Sequence, residues 1–530
     1  MLVVKERKTL LLNLKDPDPI VALIPGAKKG PVRGKEIVAV PHTHDVVRVL
    51  RNVGIAAPSP MEYYYDWPCF FPGGPFIHQR ETAAFAGLNP RTYILNGMGS
   101  GKTISVLWAF DYLRKAGLVD WLFVISPLST LERAWADEVF RHFPDMTVGV
   151  VHGTPERRMK ILMHDHDVYV INHDGIKNKQ LLAAIRAKPG RGLFVVDELA
   201  EFRNASTDRW KSLNWLINGH RHKVKGQWVV DVPPVEWAWG LTGTPIPREP
   251  VDAWAQCRII TPWTVPDYFG SFRDDVMKKV SQYKWLPRAD ALERVHRVMQ
   301  PAIRFAREDC IDLPPTTRVS REVELTPEQK RLYKDMLAQF KAEYDGGQIT
   351  AANEAVKLGK LLQIVCGVAY GKGGEEIVVP SGPRVEEVLR VIEESASKTI
   401  VFVPLSGALD QLAAAIGKPY SVCVVQGSTS KSQRDQIFHD FQNARDPQVM
   451  VAQPGCMAHG LSFTAASTTC WYAPINSANI YQQANERTPR PGQKLNTLIV
   501  HLQGSPVERK MYERLERREN TQNILLDMFK

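Results

Sequence analysis

The sequence lacks the residue patterns that staple small secreted folds or hold zinc. Its seven cysteines, Cys69, Cys257, Cys310, Cys366, Cys423, Cys456 and Cys470, are odd in number, scattered, and never spaced Cys-x-x-Cys. This excludes a disulfide framework and a zinc ribbon and points to a reducing, intracellular compartment. Long hydrophobic runs are missing as well. The stretch Met1 to Lys15 has charges at Lys5, Glu6, Arg7 and Lys8 and then only the short apolar patch Leu10–Leu12, too little for a signal peptide or a spanning helix. No later run reaches bilayer length, so no membrane partner is expected. Internal repeats and long low-complexity tracts are also absent.

What remains is ordinary globular material, 44% hydrophobic and 23% charged over 530 residues, enough for about three or four domains at roughly 100–200 residues each. The formal net charge of +10 suits a polyanionic partner without demanding one.

Residues 1–75 form a distinct N-terminal extension with Pro- and Gly-rich stretches (Gly26–Pro31, Pro58–Pro60, Pro72–Pro75) and short strand-like runs such as Ile37–Val40. An accessory DNA-binding role is one reading of it. Its basic run Lys28, Lys29, Arg33 and Lys35 is expected in a loop, solvated rather than on a phosphate. Over 76–262, short apolar runs alternate with helical stretches: Thr92–Leu95, Trp121–Ser126, Val168–Asn172, Leu193–Val196 and Trp239–Thr242. That alternation predicts βαβ units and a parallel sheet, with ligands at the polar strand ends. Residues 263–395 read as mostly helical. Thr326, Pro327 and Gln329 predict an N-cap, a first-turn proline and a capping box. Leu332, Met336, Phe340 and Tyr344 follow at helical spacing, then Leu358, Leu361, Leu362 and Val365, all as core-packing positions. Over 396–505 the βα pattern returns in Thr399–Val403, Val422–Val425, Val449–Ala452, Thr468–Tyr472 and Thr497–Leu502, predicting a second α/β lobe. Residues 506–530, rich in Arg and Glu, read as a solvated surface helix.

The sharpest signal is Asn96-Gly97-Met98-Gly99-Ser100-Gly101-Lys102-Thr103, which follows a strand and opens a helix with Ile104, Leu107 and Trp108 on one face. This is the context of a phosphate-binding loop. Glycines let backbone N–H groups turn toward phosphates, and the helix N-terminus adds partial positive charge. Lys102 would reach the β- and γ-phosphates of ATP, and Thr103 would hold Mg²⁺. The generic pattern has Gly where Asn96 stands. Leu193–Val196 then leads a buried strand into Asp197 and Glu198. Asp197 would coordinate Mg²⁺ and Glu198 would act as general base on the attacking water. Arg487 and Arg490, three apart, could share one face of a helical turn and supply charge to the γ-phosphate, although Pro489 and Pro491 limit that turn; a surface pair bound to carboxylates is the alternative.

The order and spacing of these motifs resemble superfamily 2 helicases, and more closely their Swi/Snf-like branch of DNA translocases. Asn96–Thr103 resembles motif I. Ile125-Ser126-Pro127-Leu128-Ser129-Thr130 through Trp135 is similar to motif Ia. Asp197-Glu198-Leu199-Ala200 through Asn204 resembles motif II, Leu241-Thr242-Gly243-Thr244-Pro245-Ile246 motif III, His459-Gly460-Leu461-Ser462-Phe463-Thr464 motif V, and Gln483–Gln493 motif VI. Phe76-Ile77-His78-Gln79 stands where a Q-motif would, with Gln79 reading adenine. Leu313-Pro314-Pro315 also recurs in this branch between the lobes. The chain departs from the family at Ala200, where many relatives carry His, and at Glu486 and Thr488-Pro489, where Asp and Ala-His are usual. The region ending Tyr65-Asp66-Trp67-Pro68 faintly resembles the segment before the motor in annealing helicases.

The resemblance implies an α/β fold of two RecA-like parallel-sheet lobes with a helical insertion and ATP in the cleft between the lobes. It implies Thr242, Gly243 and Thr244 as the coupling element, and Ser126, Ser129, Thr130, Gly460 and Thr464 as phosphate-backbone contacts to DNA; each hydroxyl could equally cap a helix. Such contacts carry no sequence information, so the expected partner is duplex or forked DNA bound regardless of sequence, by a monomer that remodels or anneals strands. The rival readings are a strand-separating DNA helicase, an RNA helicase, and an inactive ATPase kept as a nucleic-acid-binding module. The intact Lys102, Asp197, Glu198, Arg487 and Arg490 speak against the last. Small size and the lack of appended modules fit a bacterial or phage protein, and hence the cytoplasm.

Overall fold

Continuous apolar runs bounded by polar residues build strands covered on both faces, and two sheets arise this way. A computed structural model describes residues 1–529 apart from 33–34, 71–73, 225–226, 282–283, 311–312, 346–350, 371–374, 458–461 and 491. The chain folds into two units, residues 1–310 with 525–530, and residues 311–524. The expected helical segment 263–395 thus lies across both. It also holds short strands, among them Met277–Lys279, Trp285–Pro287 and Thr316–Glu322.

The first unit is built on a seven-stranded sheet in the order Ala302–Ile303, Arg91–Ile94, Trp237–Leu241, Gly192–Asp197, Trp121–Ser126, Val168–Asn172, Val148–Val151. Every neighbouring pair is parallel. Side chains alternate between two cores, one around Phe123, Phe194 and Ile171, the other around Val124, Val195 and Trp108. Ile104, Leu107 and Trp108 are all buried on the helix Lys102–Lys115, as the spacing predicts.

The N-terminal residues of this unit form a four-stranded antiparallel sheet from Leu2–Val4, Thr9–Leu12, Lys35–Pro41 and Lys28–Val32, in that order. Leu10, Leu12, Val38 and Val40 meet Val47 and Leu50 of the helix His44–Asn52 in a small core. The basic run is therefore not a loop: Lys28, Lys29 and Lys35 lie on strands, and Lys29 Nζ pairs with Asp18 at 2.7 Å. Arg33 lies outside the described residues.

The second unit carries a six-stranded sheet in the order Thr316–Glu322, Thr497–Gln503, Ala466–Trp471, Lys398–Phe402, Val449–Ala452, Val422–Val425, again parallel throughout. The helix Pro327–Asp345 opens with the expected capping box: Gln329 N–H donates to Thr326 Oγ1 at 3.2 Å, and Thr326 N–H to Gln329 Oε1 at 3.0 Å. The helix Pro506–Asp527 is not simply a solvated surface helix. Glu508, Met511, Tyr512 and Leu515 recur at helical spacing and are buried, and Glu508 forms an enclosed ion pair with Arg384 at 2.8 Å. One parallel sheet in each unit agrees with the expected α/β class. Among the described residues, no helix is long and apolar enough to cross a membrane.

Candidate nucleotide site

Strand order sets the chemistry of the first unit. The strand before the glycine loop (Arg91–Ile94), the strand before Thr242 (Trp237–Leu241) and the strand ending in Asp197 are consecutive neighbours. Their register aligns Ile94, Leu241 and Asp197 in one row. The three following loops therefore start side by side at the carboxyl edge of the sheet, where ligands bind in open α/β folds.

The loop itself is shaped by left-handed glycines, Gly99 at φ 76° and Gly101 at φ 81°. Gly101 caps the helix Lys102–Lys115. At that φ a side chain would be strained, and a Cβ at Gly101 would also stand 2.2 Å from Gln79 Nε2 and displace its amide. Lys102 Nζ donates to the carbonyls of Asn96 (3.0 Å) and Gly97 (3.2 Å), folding its charge into the loop. Thr103 is half-buried one residue further on.

The departure at Asn96 has a physical reason. Its side chain is buried; Nδ2 donates to Thr82 Oγ1 at 2.7 Å, and Oδ1 accepts the Phe305 N–H at 2.9 Å. Gly97 N–H donates to the Phe305 carbonyl at 3.0 Å. The amide thus stitches the loop to the helix Ile77–Leu88 and to the segment after the edge strand. Glycine could do neither. Asn96→Gly is expected to lower stability by roughly 2–3 kcal/mol, since the Phe305 N–H loses its partner, and urea denaturation measures this directly. A variant as stable as wild type would mean the stitch carries no weight.

Gln79 also closes on the loop. Its Nε2 donates to the Ser100 carbonyl at 3.3 Å, and its Oε1 accepts the Phe76 N–H at 3.2 Å. His78 Nε2 meets the same Ser100 carbonyl at 2.9 Å. Burial pushes the His78 pKa down, with the Ser100 carbonyl opposing, so the ring adds no positive charge to the loop at neutral pH.

Asp197 is held at three points. Its Oδ2 accepts from Ser126 Oγ (3.0 Å) and Trp135 Nε1 (3.1 Å), and its Oδ1 from the Glu198 N–H (3.0 Å). Ser126 Oγ and Thr130 Oγ1 lie 2.5 Å apart. Ser126 and Thr130, two of the expected DNA contacts, are buried, and their hydroxyls form a chain to Asp197. Ser129 is exposed. Glu198 sits at φ 52°, a left-handed conformation uncommon outside glycine, so the strand ends there. Ala200 is buried and brings no imidazole, but His173, following the strand Val168–Asn172, places Nε2 2.9 Å from the Asp197 carbonyl.

Between these loops, Thr242 Oγ1 accepts the Thr244 N–H at 3.0 Å. A Cβ on Gly243 would lie 3.7 Å from the Asn96 carbonyl and from Met98 Cγ, so this element packs on the phosphate loop. Gln256 Nε2 fixes its trailing Pro245 carbonyl at 2.6 Å. Sequence reasoning missed Thr82, His78, Phe305, His173 and Gln256. Each acts through a contact 11 or more residues away along the chain, beyond the reach of a local pattern.

In the second unit, Arg487 and Arg490 are buried. They do not share a helical face: the helix Ala478–Asn485 ends before them, and both lie in the turns that follow. Arg490 Nε donates to the Glu486 carbonyl at 2.6 Å, and the Arg487 carbonyl accepts the Phe463 N–H at 2.9 Å. Gln493 Nε2 reaches the carbonyls of Ala466 (2.8 Å), Thr464 (3.3 Å) and Thr488 (3.3 Å). Thr464 is half-buried, its Oγ1 accepting from Gln442 Nε2 at 2.9 Å. His459, Gly460 and Leu461 lie outside the described residues, as does Pro491.

The model of the SNF2-related domain matches residues 89–367. The chain belongs to the SNF2-related family. The helicase conserved C-terminal domain matches residues 383–492. Among curated relatives of this SNF2-related chain, the ISWI chromatin-remodeling complex ATPase ISW1 of Saccharomyces cerevisiae is 25% identical over 81% of the chain and 38% of its own length. The ATP-dependent DNA helicase DDM1 of Arabidopsis thaliana is 23% identical over 76% of the chain and 55% of its own length. Protein p41 of Acyrthosiphon pisum secondary endosymbiont phage 1 is 22% identical over 83% of the chain and 95% of its own length. The chain thus spans little more than a third to a half of the two eukaryotic relatives and nearly all of the phage protein. Superfamily 2 membership of the Snf2-like kind, expected from the motifs, holds, and with it nucleotide use.

Proposed function

We propose that this SNF2-related chain is a DNA-dependent ATPase that turns ATP hydrolysis into sequence-independent movement on duplex or forked DNA, remodelling or annealing strands. One observation carries the reading: three adjacent strands of one parallel sheet end in a glycine loop with Lys102, the Thr242–Thr244 element and the pair Asp197–Glu198, in a row. The names of DDM1 and ISW1, an ATP-dependent DNA helicase and a chromatin-remodeling ATPase, favour DNA as the polymer.

The residues present suit Mg²⁺–ATP. Thr103 and Asp197 offer hard oxygen donors of the kind Mg²⁺ takes, and glycines at 99 and 101 let the backbone approach phosphate. Bound there, Mg²⁺ would neutralise charge on the β- and γ-oxygens. Asn96, Gly97, Met98, Gly99, Ser100 and Gly101 form the cradle. Lys102 leaves the carbonyls of Asn96 and Gly97 to meet phosphate oxygens, Gln79 reads adenine, and Glu198 takes a proton from the attacking water. We assign Arg487 and Arg490 to the γ-phosphate as it is transferred. Thr242, Gly243 and Thr244, packed on the loop at Asn96 and Met98, relay its state to movement. Ser126, Ser129, Thr130, Gly460 and Thr464 are assigned to the DNA backbone, Ser129 being the exposed one of the first three.

ATP hydrolysis measured with no polymer, single-stranded DNA, duplex DNA, a fork and RNA tests the whole reading. Duplex or forked DNA should stimulate most, regardless of sequence, with affinity falling steeply with salt as counterions are released. Stimulation by none of these polymers would sink the motor, and stimulation by RNA alone would overturn the choice of DNA.

A further inference from the structure

Between the helix Asp208–Asn218 and the strand Trp237–Leu241, the chain makes a two-stranded excursion of its own, His220–Val224 paired antiparallel with Gln227–Val232. It adds no strand to the seven-stranded sheet, and none of the nucleotide-site residues lies on it.

His220 and His222 are two apart on one strand, so their side chains leave the same face. Opposite them the pairing slips: His220 faces Val232 while Arg221 faces Val230, leaving Asp231 as the extra residue of a bulge. Bulges re-aim side chains, and this one aims a carboxylate at both rings. Asp231 Oδ2 lies 2.6 Å from His220 Nδ1 and 2.8 Å from His222 Nδ1. The rings lie nearly parallel, 6.2 Å between centroids at 24°. All three residues are exposed, and one ligand atom from each lies within 4.8 Å of the others.

We infer that this hairpin binds a divalent transition-metal ion of the zinc class through His220 Nδ1, His222 Nδ1 and Asp231 Oδ2, with water completing the shell. Two imidazoles and a carboxylate are a mixed nitrogen–oxygen set, which suits Zn²⁺, Ni²⁺ or Cu²⁺. Mg²⁺ and Ca²⁺ prefer oxygen alone, so the ion proposed for ATP does not compete here. In the metal-free hairpin, one carboxylate oxygen accepts from both rings. An ion takes the place of those shared protons, and the carboxylate oxygen draws back a little from the two nitrogens to admit it, with Zn–N near 2.0–2.1 Å. The donors are preorganised by strand spacing and the bulge, so little chain entropy is lost on binding. The ion would clamp together the two strands that join the Asp197–Glu198 segment to the Thr242–Thr244 segment.

Zinc chloride titrated calorimetrically into the full chain, with Mg²⁺ in excess, tests this. Wild type should take up one equivalent. The double variant His220→Ala/His222→Ala should bind it at least ~10–100-fold more weakly, the loss typical when even a supporting partner of a ligand is removed, and Asp231→Asn should weaken it too. Co²⁺ should give visible bands in wild type that the double variant lacks. Circular dichroism should be unchanged, because the three side chains are exposed; if the double variant misfolds, Asp231→Asn with Co²⁺ still decides. Equal zinc binding by wild type and variants, or no zinc bound by wild type, overturns the site.

Discussion

Glu198→Gln should bind ATP with near wild-type affinity and hydrolyse it ~10²–10⁴-fold more slowly, the usual worth of a positioned general base, or roughly 3–5 kcal/mol of barrier. Glutamine keeps the length of glutamate and tolerates φ 52° no worse, so the strand end and Asp197 keep their geometry. Only the basic oxygen is lost. Lys102→Ala is expected to fail differently. It removes the amine that must leave the Asn96 and Gly97 carbonyls for the phosphates, so nucleotide binding weakens along with turnover. Single-turnover hydrolysis beside fluorescent-nucleotide binding separates the two. Robust hydrolysis by Glu198→Gln would show that the base lies elsewhere, and unchanged ATP affinity in Lys102→Ala would remove lysine from the phosphate site.

Arg487→Ala and Arg490→Ala should each cost kcat up to ~10³–10⁵-fold, the range for an arginine acting on a transferring phosphoryl group. Both side chains are buried, and Arg490 is anchored through Nε to the Glu486 carbonyl. Loss of either could also disturb packing, so Arg→Lys is the matched control. It keeps the charge but not the planar fork. A role at the γ-phosphate requires kcat to fall while ATP affinity and thermal unfolding stay near wild type, with lysine restoring only part of the rate. Alanine variants that hydrolyse ATP normally with DNA present would reduce the pair to packing.

Much of this architecture is legible in the sequence, for physical reasons that vary by element. The runs Trp121–Ser126, Val168–Asn172 and Val449–Ala452 match their strands residue for residue, because a strand buried on both faces has sharp polar ends, and the half-buried edge strand Val422–Val425 matches as well. The glycine loop and the Asp197–Glu198 pair announce themselves because their chemistry needs those residue types at one spot in the chain. Contacts that close over long separations do not. Asn96 looks like a flaw in the loop until Phe305, over two hundred residues on, supplies the partner. Ser126 and Thr130 look like any exposed hydroxyls until Trp135 and Asp197 enclose them. In the helix Pro506–Asp527 the abundance of Arg and Glu hides a buried stripe of Met511, Tyr512 and Leu515. The turn at Arg487 misleads because spacing by three suggests a helix, whereas the helix has already ended at Asn485.

The missing Cβ at Gly101 is where two kinds of recognition become inseparable. The space it leaves is filled by Gln79, whose amide also holds the Ser100 carbonyl. If that amide swings to a purine edge, the Ser100 carbonyl keeps its contact with His78 but loses the one from Gln79, and the phosphate loop is tied down by one bond fewer. A nucleotide with the wrong base would leave the amide where it is and meet a loop still tied down. Discrimination between bases would then reach the phosphate loop through the Gln79 amide, as well as through the strength of binding.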